Sequence, residues 1–157
     1  MHLAYKPWEV VGVSDGGKAV TYTPGVAEWT FPAEPGTVRA ARELVRATLA
    51  DWGLRSISDI TVLLVSELVT NSLRYASAPI GVRLRHSRTP EAALLVVEVS
   101  DPLPDPPRTR QVAPEDEGGR GLQLVARASR RWGTRRGKTG KTVWFELTLP
   151  DEEIVKG

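Results

Sequence analysis

Ser58-Asp-Ile-Thr-Val-Leu-Leu-Val-Ser-Glu-Leu-Val-Thr-Asn-Ser-Leu-Arg-Tyr-Ala76 is the stretch whose reading decides the fold. Ile60, Leu64, Leu68 and Ser72 recur at helical spacing and make one stripe. Leu63, Glu67, Asn71 and Arg74 make a neighbouring stripe that turns from apolar to polar along its length. Ser56-x-x-Asp59 ahead of them fits a capping box, so the spacing predicts a long helix over 58–76. Glu67 and Asn71 stand four apart and project from one face, where a carboxylate that accepts protons and an amide oxygen that ligates a hard cation would share a pocket. For an arbitrary pair at this spacing the ordinary reading is an exposed Glu and a locally bonded Asn. Its meaning therefore depends on what the rest of the chain brings beside it.

Upstream, Thr37 is a candidate N-cap for a helix with Val38, Ala41, Leu44, Val45 and Leu49 at helical spacing, ended by Gly53. Before the break at Pro32-Ala-Glu-Pro-Gly36 the chain reads as strands. Val10–Val13 and Val20–Thr23 flank the turn Ser14-Asp-Gly-Gly17, and Ala27–Phe31 follows. Downstream, Val82–His86 alternates, and Ala93–Ser100 is a nearly continuous apolar run of the kind a central strand carries. Pro102–Glu117 is proline-rich and aperiodic, a long loop of the kind that is either functional or disordered. It closes on Gly118-Gly-Arg-Gly121, after which Leu122, Val125, Ala128 and Trp132 repeat at helical spacing. Thr142–Leu149 alternates between Gly140 and Pro150 and reads as a last strand.

Composition narrows the classes. A chain of 157 residues, 41% hydrophobic, supports one domain with a real core. The absence of cysteine excludes disulfide scaffolds, thiolate zinc sites and Cys nucleophiles, and fits a reducing compartment, so a cytoplasmic protein is the expectation. Neither a leader-like N-terminus nor an apolar run of membrane-spanning length is read, so no membrane partner is expected. His2 and His86 are too isolated for a histidine metal site. Net charge is +2, yet Arg127, Arg130, Arg131, Arg135, Arg136, Lys138 and Lys141 crowd one stretch. That means an anionic partner or a solvated helix end and turn. Without aromatic platforms or a helix-turn-helix pattern, direct nucleic-acid binding is not expected.

Two further constellations match the helix pair. Asp101 ends the apolar run Leu94-Leu-Val-Val-Glu-Val-Ser100, at the carboxyl end of a strand, where its carboxylate can accept from an exocyclic amine; the ordinary reading is an Asp-Pro turn. Gly119-Arg-Gly121 opens a helix, where unpaired amides and the helix dipole favour phosphate. Its ordinary reading is a flexible helix start. Gly137-Lys-Thr139 and Gly140-Lys-Thr142 end like a P-loop, but the earlier glycine falls on Trp132 and Arg135. A dinucleotide fingerprint fails because Leu124 stands where a third glycine is needed.

Taken in order, Glu67-Leu-Val-Thr-Asn-Ser-Leu-Arg-Tyr-Ala76, Val97-Glu-Val-Ser-Asp101 and Glu117-Gly-Gly-Arg-Gly-Leu122 resemble the N, G1 and G2 boxes of the GHKL ATPase superfamily. The resemblance is to its branch of anti-sigma-factor serine kinases, in particular the small ATP-binding regulators of actinomycetes. Phe31-Pro-Ala-x-Pro35, Arg131-Trp-Gly133 and Gly140-Lys-Thr-Val-Trp144 agree with it, and it covers about residues 27–149. It implies an α+β fold, a two-layer α/β (Bergerat) sandwich with helices on one face of a mixed sheet. Residues 1–26 would be an N-terminal strand extension, 27–150 the ATP-binding domain and 151–157 a tail. The cofactors would be ATP and Mg²⁺. Asn71 would ligate Mg²⁺ and Asp101 would read the adenine amine. Gly119, Arg120, Gly121 and Leu122 would line the phosphates, Thr142 would add a contact near the base, and Glu67 would be the catalytic base. Pro102–Gly121 would form a lid.

The partners it implies are a STAS-type anti-anti-sigma protein, phosphorylated on serine, and a sigma factor held when that protein is unavailable. The alternative is a regulatory module that binds nucleotide and partners and transfers nothing. Two departures bear on that choice: prolines in Asp101-Pro-Leu-Pro-Asp-Pro-Pro107 stand where family members carry glycine, and Tyr75 where histidine is frequent. The resemblance also leaves room for a homodimer through sheet edges, with the Val10–Thr23 hairpin a candidate to pair with such an edge.

Overall fold

The computed structural model describes residues 12–13, 19–23, 25–75, 79–88, 92–102, 117–137 and 140–150. The hairpin turn at 14–17, most of the lid, Lys138 and the tail at 151–157 lie outside the described residues. In chain order the elements are β1 (Gly12–Val13), β2 (Ala19–Thr23), β3 (Val26–Phe31), α1 (Thr37–Asp51), a 3₁₀ turn (Arg55–Ile57), α2 (Ser58–Tyr75), β4 (Ile80–Arg88), β5 (Ala93–Asp101), α3 (Glu117–Ala128), β6 (Arg131–Arg136) and β7 (Lys141–Thr148).

The strands form one seven-stranded sheet in the order β1-β2-β3-β4-β5-β7-β6. Every described pairing is antiparallel, which corrects the expectation of a mixed sheet. The physical reason lies in the neighbours: β3, β4, β5 and β7 pair with alternating direction, so no two adjacent strands run the same way. β5 lies between β4 and β7, as its apolar run requires. The N-terminal strands extend the same sheet: β2 is laid along β3, Val20 facing Trp29 and Thr23 facing Val26, and β1 forms the end of the sheet.

One face of the sheet carries the core. Trp29, Phe31, Ile80, Val82, Leu84, Leu95, Val97, Val99, Phe145 and Leu147 meet Ala41, Val45 and Leu49 of α1, Leu64, Val65, Leu68 and Val69 of α2, and Val125 of α3. Each large side chain so buried contributes about 1.5–3 kcal/mol against its exposed state. The other face is polar and laced across strands: Glu98 accepts from Arg135 at 3.1 Å and faces Arg83 at 3.7 Å, and Glu146 pairs with Arg130 at 3.1 Å. This is an α+β two-layer sandwich with its helices on one face.

Local expectations are adjusted in three places and met at Gly53. Thr37 is not the cap of α1 but its first residue; Gly36 holds the cap position, and the buried Thr37 hydroxyl turns back to donate to the Pro32 carbonyl. Gly53, with φ +76, ends that helix as expected, in the left-handed conformation that suits glycine. The Asp59 carboxylate, read as half of a capping box, bonds Arg46 of α1 at 2.8 Å. By length and mean hydropathy (1.2) Arg55–Arg74 would suit a membrane, contrary to the sequence reading, but half of it is buried in this core, which accounts for its apolar residues.

Candidate functional site

The stripes of α2 divide as the spacing predicts. Leu64 and Leu68 are buried against the sheet, Ser72 ends the same stripe, and Glu67 and Asn71 are half-buried beside it. What covers them is the start of α3. A Cβ added to Gly121 would lie 3.5 Å from both Cβ and Oε1 of Glu67 and 3.8 Å from Nδ2 of Asn71. The backbone of α3 at Gly121 therefore lies about one side-chain atom away from the carboxylate and amide. The N and G2 boxes are one place in space.

The helix start changes what its glycines can do. In a helix beginning at Glu117, the amide of Gly119 is among the first donors, which have no partner inside the helix and point outward. The amide of Gly121 falls one turn in and is directed at the Glu117 carbonyl, so the outward-pointing amides belong to Gly119 and its neighbours. Gly121 contributes closeness instead. Leu122 packs against the core rather than lining a polar pocket, and the Arg120 side chain lies outside the described residues.

Asp101 ends β5 with its side chain on the helical face and only 6% of its surface exposed. The Ser72 hydroxyl of α2 donates to its Oδ2 at 3.0 Å. One turn of α2 thus carries Asn71, against α3, and Ser72, against the strand, and fixes the two boxes to each other. Buried carboxylates persist when they are hydrogen-bonded. Ser72 was read from the sequence only as the last member of a core stripe, and a hydroxyl closing an otherwise apolar stripe was the available signal.

Thr142 is not brought to this group. Strand alternation sends its side chain, with that of the facing Ser100, to the open side of the sheet, where the two hydroxyls share a 2.8 Å hydrogen bond. The residue of β7 that faces Asp101 is Lys141, and the next in the same row, on β6, is Arg136. A cleft of about 530 Å³ opens at these strand ends, with Thr30, Gly81, Ser100 and Thr142 on its open-face floor and Asp101, Arg136 and Lys141 on its rim. The turn into β7 is tight: Gly137 N–H donates to the Gly140 carbonyl at 2.8 Å, and a Cβ on Gly140 would fall 2.4 Å from the Asp101 carbonyl oxygen.

The basic stretch begins at the end of α3 with Arg127, as one sequence reading has it, but its middle is a strand. Arg131–Arg136 is an edge strand, on which Arg131 stands 5.9 Å from the ring centre of Trp144 and Arg135 bonds Glu98. Gly133 makes room for that indole, since a Cβ there would lie 2.9 Å from Trp144 Cζ2. Charged edges of this kind also resist unwanted strand pairing. Far from the site, burial, and then Arg88, push the His86 imidazole below its usual pKa; its ring meets Trp52 edge-on at 4.7 Å.

Among the described residues no three His, Cys, Asp or Glu side chains converge to hold a metal by themselves. Asn71 offers a single hard oxygen. That donor set fits Mg²⁺, which binds nucleotide sites through one or two protein oxygens together with substrate phosphates and waters.

Residues 31–147 match the family described as the histidine kinase-like ATPase domain. Among solved structures, the histidine kinase domain of the blue-light activated histidine kinase of Erythrobacter litoralis EL346 is similar at 31% identity with a TM-score of 0.44, over 61% of this chain and 46% of that one. This chain thus matches less than half the length of that structure. No curated protein matches. The matched segment runs from the end of β3 through β7 and contains α2, Asp101 and the α3 glycines together. The chain belongs to the histidine kinase-like ATPase domain family, whose name makes ATP its ligand.

Proposed function

We propose that the chain binds Mg-ATP between α2, the start of α3 and the Asp101 end of β5, and transfers the γ-phosphoryl group to a serine of a STAS-type anti-anti-sigma protein, holding a sigma factor when that protein is unavailable. The observation that carries this reading is the seating of Gly121 on Glu67 and Asn71. It brings the Glu67 carboxylate and the Asn71 amide beside the first turns of α3, which supports the reading.

Asp101, held by Ser72, would accept from the exocyclic amine of adenine. The first amides of α3 would receive phosphate oxygens. Asn71 would hold Mg²⁺, which supplies charge neutralisation on the phosphates when bound. Glu67 would take the proton of the partner's serine hydroxyl as the serine oxygen bonds the γ-phosphorus and the bond from that phosphorus to the β-phosphate oxygen breaks, leaving phosphoserine and ADP. General-base assistance of this kind contributes about 10²–10⁴ in rate.

The test is calorimetric titration of the whole chain with Mg-ATP, beside Asn71→Ala and Asp101→Ala. It is followed by transfer of label from γ-labelled ATP to an anti-anti-sigma protein from the same genome, with Glu67→Ala alongside. Binding lost in both variants, and transfer lost in Glu67→Ala with binding kept, is the expected result. A wild-type chain without Mg-dependent ATP affinity refutes the site; ATP binding without any serine modification refutes the kinase and leaves a partner-binding switch.

A further inference from the structure

We propose that Lys141 is the second base-reading residue of the nucleotide site, and that its ammonium donates to the ring nitrogen adjacent to the adenine amine that Asp101 accepts. The inference rests on the nucleotide site proposed above and adds to it the residue that selects the base. The ladder makes the assignment. Asp101 faces Lys141 across β5 and β7, and side chains facing each other in an antiparallel pair share a face, with Cβ atoms about 4.5–5.5 Å apart. Thr142 is one residue on and points the opposite way, into its bond with Ser100.

Gly140 fixes the start of β7 against Asp101. Its Cα approaches the Asp101 carbonyl so closely that no side chain fits between, so the first residue of the strand cannot drift from the carboxylate. Lys141 is half-buried at the first position of β7, and its four-carbon stem is long and flexible enough to carry the ammonium past the shorter Asp101 side chain. Arg136 stands a further strand away, about 5 Å beyond Lys141, on the exposed edge.

The hydrogen-bonding edge of adenine presents a donor, the exocyclic amine, beside an acceptor, the ring nitrogen. A carboxylate accepts only and an ammonium donates only. Asp101 and Lys141 in one row are therefore the complement of that edge. Guanine in the same pose would turn its carbonyl oxygen to the carboxylate and its ring N–H to the ammonium. Sites built on such polar pairs reject a mismatched partner strongly, because the buried carboxylate and the ammonium beside it both lose their bonds.

Wild-type chain is titrated with Mg-ATP, Mg-1-deaza-ATP, in which that ring nitrogen is replaced by C–H, and Mg-GTP. The first two are repeated on Lys141→Met, which keeps the stem and loses the charge. The expectation is that 1-deaza-ATP binds wild type about tenfold more weakly than ATP and GTP about 100-fold more weakly, and that Lys141→Met binds ATP and 1-deaza-ATP alike. Because the analogue is compared on the unaltered protein, a variant that fails to fold does not spoil the result. Equal affinity of wild type for ATP and 1-deaza-ATP overturns the proposal. So does an equal loss of both nucleotides in Lys141→Met, the signature of a phosphate contact, or a Thr142→Val variant that erases their difference. A wild-type chain that binds none of the three overturns the nucleotide site itself and this inference with it.

Discussion

Gly140→Ala tests the packing on which the site depends. The added methyl would meet the Asp101 carbonyl oxygen at 2.4 Å, Pro102 Cα at 3.3 Å and the Asp101 carbonyl carbon at 3.4 Å, all of them backbone. A carbon and an oxygen rest at roughly 3.2–3.5 Å, so one of the two chains must move by about 0.8–1 Å, and no side chain can rotate away to absorb it. Overpacking of this order costs about 1–3 kcal/mol, which for a chain of this size lowers Tm by about 2–4 °C for each kcal/mol. Gly137→Ala is the comparison in the same turn, because its methyl would touch only the Gly140 carbonyl oxygen at 3.9 Å. Urea denaturation of both variants, with Mg-ATP calorimetry on each, should show Gly140→Ala less stable by at least about 1 kcal/mol and weaker in ATP binding, and Gly137→Ala within about 0.5 kcal/mol of wild type. Equal stabilities, or a Gly140→Ala protein with unaltered ATP affinity, would refute the argument that this turn positions Asp101 and Lys141.

Two other outcomes follow from the same geometry. Ser72→Ala removes a buried donor to a carboxylate and should cost about 1.5–3 kcal/mol in urea denaturation, with ATP affinity falling as Asp101 loses its support; a loss under about 0.5 kcal/mol would show the bond to be dispensable. Stability should also fall on mild acidification: the pKa of His86 is lowered from 6.5 in the fold, so the unfolded chain takes up its proton first, and stability present above pH 6.5 is lost as the pH drops toward the folded value. His86→Gln should lose that component, and parallel pH profiles for wild type and variant would exclude His86 as its source.

Much of the site could be read from residues because it is carried by short periods. The stripe that turns from Leu63 to Glu67 and Asn71 is a property of α2 alone, and the run ending at Asp101 is a property of β5 alone. What failed depended on partners. Strand β6 was missed because Arg131, Arg135 and Arg136 leave an edge strand exposed on both sides, so the alternation that marks a half-buried strand is absent, and Trp132 happened to continue the helical spacing of α3. Thr142 was assigned by resemblance, whereas register decides which of two adjacent residues faces Asp101. Direction of pairing is likewise not written in any local period, and the sheet expected to be mixed is antiparallel. Where α3 begins is not written there either, and it decides that the Gly121 amide is one turn inside the helix while that of Gly119 is among the first.

The order of the sheet constrains how the protein can be made. β7 is the last described strand of the chain, yet it lies inside the sheet, between β5 and β6. During synthesis β5 must emerge with one apolar flank open, and β6 with no described neighbour at all, until β7 slides between them. Asp101 has no facing residue before that moment. A nascent chain halted before Lys141 would therefore expose the long edge of Val97 and Val99, so the sheet closes and Asp101 meets Lys141 in a single, late event.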